Sequence, residues 1–300
     1  MRVTHRMIAN TVIRNVNRNL AQMTRYQDML SSGKAINKPS DDPVRIARIM
    51  GYQASLQQNK QHQRNIDAAM SWLDTTEDAL SGMTDVLQRA RELAVSGADG
   101  PKPPESRRAI AKEIDELVGV LVQLANTSFG GRHIFAGYQT TASPFSRDKS
   151  LLATEPTSVV YHGDRGEIRW EVAPGVEVKG NIDGEALLMD TRIFEYMEDL
   201  IAGLESDDLA AVNTALGNLS AGIDIILDHR AALGAIRNGL ELTMNKTTLE
   251  ELNITSLRSK LEDIDFAETF MYYSTMATLY TASLSAGARI MVPSLIDFLR

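Results

Sequence analysis

Residues 66–94 read IDAAMSWLDTTEDALSGMTDVLQRARELA. Ile66, Ala69, Leu73, Thr76, Leu80, Met83, Leu87, Ala90 and Ala94 fall at alternating steps of three and four without a slip. A mean step of 3.5 returns to one side of a 3.6-residue helix, so these side chains make one unbroken stripe. Such a stripe predicts a long helix packed lengthwise on other helices. No proline lies between Pro43 and Pro101. Proline removes a donor and clashes with the preceding turn, so its absence lets the helix run from Pro43 to about Ser96, roughly 80 Å at 1.5 Å per residue.

Upstream, Ser40-Asp41-Asp42-Pro43 reads as a helix start, with a carboxylate to cap free N–H groups and proline at the first helical position. The same carboxylate pair also suits a metal or acid–base site, and capping explains Asp42 without either. An earlier helix is expected from Thr4 to Leu30, with Ala9, Val12, Val16, Asn19, Met23, Tyr26 and Leu30 as its seam and Gly33 beyond its end. Downstream, residues 97–104 end the long helix. A third helix carries Ile110, Ile114, Leu117, Leu121, Leu124 and Ser128 on one face and is expected to stop at Gly130-Gly131. A second proline-free tract lies between Pro174 and Pro293. After a short helix near Arg192–Leu204, Leu219, Ile226, Leu233 and Leu240 repeat every seven residues; Thr247 breaks the line, and Ile254 and Leu261 resume it.

Between these tracts the period changes. Eight of the 20 glycines lie from Gly130 to Gly184. Ile168, Trp170 and Val172 alternate, as do Val176 and Val178, around Pro174-Gly175, which predicts a β-hairpin. Val159–Tyr161 predicts a further strand. The fold class expected is mainly α: a long helical rod or coiled coil with both termini paired, plus a small β-rich insertion. The boundaries expected are 1–42 with 262–300 for a terminal coiled-coil domain, 43–137 with 191–261 for a helical rod domain, and 138–190 for the insertion. Residues 139–190 are expected to be dispensable for the rod. The rod core is expected at Ile66, Leu73, Leu80, Leu87, Ile110, Leu117, Leu124, Leu219, Ile226, Leu233 and Leu240.

Composition narrows the function. The 300 residues include no cysteine, which removes disulfides, thiolate zinc sites and cysteine nucleophiles. A net charge of −8 offers no global attraction to nucleic acid. Residues 1–50 nevertheless hold nine Lys/Arg against three Asp. A basic first helix fits a nucleic-acid arm or a membrane surface, and more simply a helix lying on acidic helices of the same assembly; no aromatic residues are interleaved for base stacking. The first 20 residues hold four arginines and no unbroken apolar run, so no cleaved secretory signal is expected. His5, His62, His133, His162 and His229 are scattered, and no HExxH, GxxxxGK[ST] or GxSxG motif occurs. No catalytic residue, metal or cofactor is therefore expected. Thr269–Ala288 is twenty residues without a charge, long enough for a tail anchor. Seven of the twenty are Ser or Thr and three are Tyr, which suits contact with protein helices better than with lipid. Val12, Val16, Met23, Leu30, Leu261, Ile264, Phe270, Met276, Leu279 and Leu284 are the expected assembly interface, with order gained on assembly.

The chain also carries motif-sized runs in both arms. These are Leu30-Ser31-Ser32-Gly33-Lys34-Ala35-Ile36-Asn37 with Asp41-Asp42, Thr75-Thr76-Glu77-Asp78-Ala79-Leu80, and Arg89-Ala90-Arg91-Glu92-Leu93-Ala94-Val95. Further on come Arg230-Ala231-Ala232-Leu233-Gly234-Ala235, Asp265-Phe266-Ala267-Glu268 and Val292-Pro293-Ser294-Leu295. In this order and over about 240 residues they resemble the flagellin superfamily. Asn37-Lys38-Pro39-Ser40-Asp41-Asp42-Pro43 and Gly131-Arg132-His133-Ile134-Phe135-Ala136-Gly137-Tyr138 point to its hook–filament junction branch, with a short flagellin as the alternative. The resemblance implies a non-enzymatic subunit of the extracellular flagellum, exported as an unfolded chain. The partners it implies are further copies of itself, the hook-side junction protein, flagellin, and a cytoplasmic export chaperone on the C-terminal helix. It implies no nucleic-acid or membrane partner.

Overall fold

The computed structural model describes residues 5–100, 102–153 and 157–291. Among them are six α-helices: α1 His5–Ser32, α2 Pro43–Ala98, α3 Pro104–Ala125, α4 Ile193–Ser206, α5 Leu209–Glu262 and α6 Phe266–Met291. Six short strands lie between α3 and α4: β1 Ser128–Phe129, β2 Arg132–His133, β3 Phe145–Arg147, β4 Val159–Tyr161, β5 Arg169–Ala173 and β6 Val176–Lys179. They form three separate antiparallel pairs, β1–β2, β3–β4 and β5–β6. The chain is thus mainly helical with a small strand-bearing insertion.

Local chemistry sets the helix ends. Asp42 Oδ1 accepts the N–H groups of Val44 (3.1 Å) and Arg45 (3.0 Å), and Pro43 opens α2, so Asp42 serves as a cap. Asp208 caps α5 in the same way through Ala210 and Ala211. The buried Arg107 closes α2, donating to the carbonyls of Gly97, Asp99 and Gly100 and pairing with Asp207. Gly97 lies in the last turn of α2, where carbonyls have no intrahelical partner.

The chain divides into two units, Asn59–Thr248 and Met1–Gln58 with Leu249–Arg300. The first holds the large core. Ile66, Leu73, Leu80, Leu87, Leu219, Ile226, Leu233 and Leu240 are all buried there. On α3 the buried stripe is Ala111, Ile114, Val118, Leu121 and Ala125, whereas Ile110, Leu117 and Leu124 are half-buried at its margin. The α3 helix stops at Ala125, five residues before the glycines expected to end it. Asn126 is the reason: its side chain donates to Phe145 O (2.8 Å) and accepts from Phe145 N (2.9 Å), taking the place of a strand neighbour. Ser128 therefore lies exposed on β1, and Gly130 and Gly131 (φ +57° and +78°) make the β1–β2 turn.

The insertion is not separable from this core. Phe145, Val159, Val172, Leu187 and Leu188 are buried in the same cluster as the helical residues. Phe145 meets Tyr161 and Phe194, with ring centroids 5.0 and 6.0 Å apart. The β5–β6 hairpin forms as expected around Pro174-Gly175 and leans on α2: Trp170 lies 5.9 Å from Trp72, and Asn65 donates to Glu171 O (2.8 Å). A polar chain ties the same elements together. Arg147 binds Asp115 Oδ1 (2.5 Å) and Ser158 Oγ (3.1 Å), and Ser158 gives its N–H and hydroxyl to the buried Glu198. The expectation that 139–190 can be removed without loss to the helices is thus overturned, because the insertion supplies large side chains to their core.

Among the described residues only α5 is long and apolar enough to cross a membrane. Its apolar stripe from Leu219 to Leu240 is spent on the core. The uncharged segment Thr269–Ala288 forms most of α6 instead.

Candidate assembly interface

The second unit pairs the two terminal helices. Val12, Val16, Asn19, Met23, Tyr26 and Leu30 of α1 are half-buried at the expected three-four spacing. Facing them on α6 are Thr269, Tyr273, Met276, Tyr280, Ser283 and Gly287, all buried or half-buried. The helices run antiparallel. Tyr26 stacks on Tyr272 with centroids 5.6 Å apart, Asn19 donates to Ser283 Oγ (3.2 Å), and a Cβ on Gly287 would come within 2.7 Å of Val12 Cγ1. The missing side chain at Gly287 therefore leaves room for Val12 against α6. The Tyr272 hydroxyl donates to Glu268 (3.1 Å), and that bond to the carboxylate raises the phenol's pKa.

The connections of these helices are stitched to each other. Gly33 (φ +70°) ends α1 and lets the chain turn back. Ala35 N donates to Glu262 O (2.7 Å), Ile264 N donates to Gly33 O (3.2 Å), and Arg45 donates to Leu261 O (2.6 Å). The buried Glu262 carboxylate sits between Lys34 (2.5 Å) and Arg258 (3.4 Å). Asp265 Oδ1 caps α6 through the N–H of Glu268 (3.1 Å). This Asp-x-x-Glu pattern was the available sequence signal for the break between α5 and α6. Lys34, Arg45 and Gly287 carried no comparable signal, because their partners are more than 200 residues away.

The ten expected interface residues separate into two groups. Val12, Val16, Met23, Leu30 and Met276 line the intramolecular α1–α6 seam, and Leu261 and Ile264 are half-buried beside the stitched connections. Phe270 (56% exposed), Leu279 and Leu284 (45% each) face outward. Met7, Ile13, Leu20, Phe266 and Met271 are also exposed. Against this surface the unit's own apolar burial is thin: Ile36, Ile49 and Leu56 are its buried large hydrophobic residues among those described. Exposed apolar area on this scale marks a surface made to be covered.

Comparison with known proteins agrees with this geometry. Residues 3–140 match the bacterial flagellin N-terminal helical region, and residues 211–299 match the bacterial flagellin C-terminal helical region. Flagellar hook-associated protein 3 of Escherichia coli is 28% identical, over 95% of this chain and 96% of that protein. The flagellar filament 33 kDa core protein of Treponema phagedenis is 26% identical over the whole of both chains. Among solved structures, FlgL of Bacillus cereus superposes with a TM-score of 0.60 at 26% identity, over 70% of this chain and 99% of that one. A hook-associated protein of Vibrio parahaemolyticus shares the fold, with a TM-score of 0.67 at 20% identity over 74% of this chain and 100% of that one. With the two terminal helices paired with each other and both arms matched in their own right, this chain belongs to the bacterial flagellin family.

Proposed function

We propose that this chain is a structural subunit of the flagellum's hook–filament junction, lying outside the cell. The observation that carries the reading is the thin terminal unit with its outward apolar surface, on a chain similar over nearly its whole length to a hook-associated protein. A surface of this kind is stabilised when neighbouring subunits exclude water from it. The neighbours in this reading are further copies in a layer, the hook-side junction protein on one side and flagellin on the other. Before export, the exposed apolar positions of α6 fit a cytoplasmic chaperone. Residues 1–42 and 262–300 act as the segment that gains order on assembly, 43–137 with 191–261 as the helical domain, and 138–190 as the outer insertion.

A filament subunit is the second reading, favoured by the full-length match to the Treponema core protein. Polymerisation separates the two. The purified chain is added to hooks bearing the hook-side junction protein, with and without flagellin. A junction subunit caps the hook and then seeds flagellin, with no filament of its own. Long filaments of this chain alone would establish the second reading.

A further inference from the structure

The α5 helix carries apolar residues on two opposite sides. Leu240 and Thr247 face the core and are buried, and Ile254 continues their line half-buried. Two residues to either side of Leu240 stand Asn238 and Leu242; Asn245 and Leu249 flank Thr247 in the same way, and Leu252 and Ser256 flank Ile254. Two residues are about 200° of helix, so all six lie within about 20° of the side opposite the core line. The same three-four steps reach back through an intervening alanine to Ala231. This second seam is exposed throughout, Leu242 by 71%, Leu249 by 64% and Leu252 by 63%. Written as heptads, Leu242 and Leu249 take a positions, and Asn238, Asn245 and Leu252 take d positions. An unbroken a/d line about 38 Å long is the pattern of a helix that packs on another helix.

The residues on and beside the seam state which helix fits. Between Ala231 and Ser256 the flanking g and e positions hold one charge each, Glu241 at g and Lys246 at e. Neither has an ion-pair partner among the described residues, and Arg237, one turn before Glu241, is held by Asp74 (2.7 Å). In a parallel pair a g residue meets the e residue of the partner's next heptad, and Glu241 and Lys246 stand in that relation. Two α5 helices lying parallel and in register therefore make the Glu241–Lys246 pair twice. An antiparallel pair would set g beside g and e beside e, and the opposite charges would not meet. The side-chain amides of Asn238 and Asn245 have no hydrogen-bond partner among the described residues. In register each asparagine meets its own copy, amide to amide, which satisfies a polar seam residue and fixes the alignment.

We infer that α5 binds α5 of a second copy of this chain through its outward seam, parallel and in register. Such a pair is isologous and closed, so it belongs to the free protein, where it covers leucines otherwise left in water. It goes beyond the junction reading and does not depend on it.

The purified full-length chain is followed by sedimentation from micromolar to millimolar concentration, where a dimer is expected. Leu242→Glu with Leu249→Glu should weaken it about a hundredfold, with a nearly unchanged melting curve at low concentration, because both positions are exposed in the single chain. Glu241→Lys or Lys246→Glu alone should weaken it about tenfold, and the two together should restore it, because the exchanged charges meet again. Orientation is read by cross-linking, in a chain with no cysteine of its own. With glutathione disulfide as oxidant, Asn245→Cys should link the two copies much faster than Thr214→Cys, an exposed position off the seam, since a disulfide needs the two Cβ atoms close together. A monomer over the whole range, a dimer indifferent to the leucine substitutions, charge reversals that fail to rescue each other, or equal cross-linking at the two positions would each overturn the α5–α5 pair. The junction reading is tested apart from this, by whether the unsubstituted chain caps hooks.

Discussion

Leu80 sits at the middle of the unbroken α2 stripe and is fully buried. Its burial is worth about 1.5–3 kcal/mol, and a carboxylate there would add an uncompensated charge. Leu80→Asp is therefore expected to lower the melting temperature by several degrees or more, read by circular dichroism; an unchanged curve would contradict its place in the core. Asp115 gives a pH-dependent counterpart. Burial pushes its carboxyl up, but hydrogen bonds and charge from Lys149 and Arg147 outweigh that and hold it below the usual carboxylate value. A folded pKa below the unfolded one stabilises the native state above the ordinary value of about 3.9 and loses that stabilisation as pH falls through the depressed value. Asp115→Asn should thus melt lower than the natural chain at neutral pH, with the difference closing below about pH 4. A gap that persists in acid would show that packing, not ionisation, is responsible.

Among elements, the insertion and the helices of Asn59–Thr248 share one buried core. Phe145, Val159, Val172 and Leu187 come from the insertion and are buried with Leu80, Leu121 and Leu219 of the helices. Large core side chains removed together leave a void that helices cannot collapse into. Joining Tyr138 to Thr191 through a short Gly/Ser linker is therefore expected to broaden the thermal transition and lower its midpoint. A sharp transition at the natural midpoint would show an independent insertion after all. The turn at the insertion's mouth is equally constrained: Gly137 has φ +65°, and a Cβ there would lie 2.1 Å from Asp164 O.

For the molecule as a subunit, the split among the uncharged residues of α6 yields a paired test. Phe270 is exposed, whereas Met276 is half-buried on the seam with α1. Phe270→Glu should leave the melting of the free protein nearly unchanged and still abolish filament attachment when it replaces the natural chain in cells. Met276→Glu should disturb the free protein too, seen as faster hydrogen exchange in α1 and α6. Equal effects of both substitutions on the free protein would erase the distinction between seam and outer surface. Much of this architecture was legible beforehand. The α2 and α5 repeats, the Asp42 cap, the β5–β6 hairpin and the seam on α1 all follow from local rules, because a 3.5-residue apolar step, a capping carboxylate and a Pro-Gly turn act within a few residues of themselves. Other features depended on residues far apart in the chain. The end of α3 at Ala125 was set by Asn126 meeting Phe145, the insertion's role was set by its phenylalanines entering a shared core, and the division of α6 into an inner and an outer surface was set by which side α1 covers. Periodicity states that a helix has an apolar face; which apolar residues that face retains for a neighbour depends on the packing partner, and that partner lies more than 200 residues away.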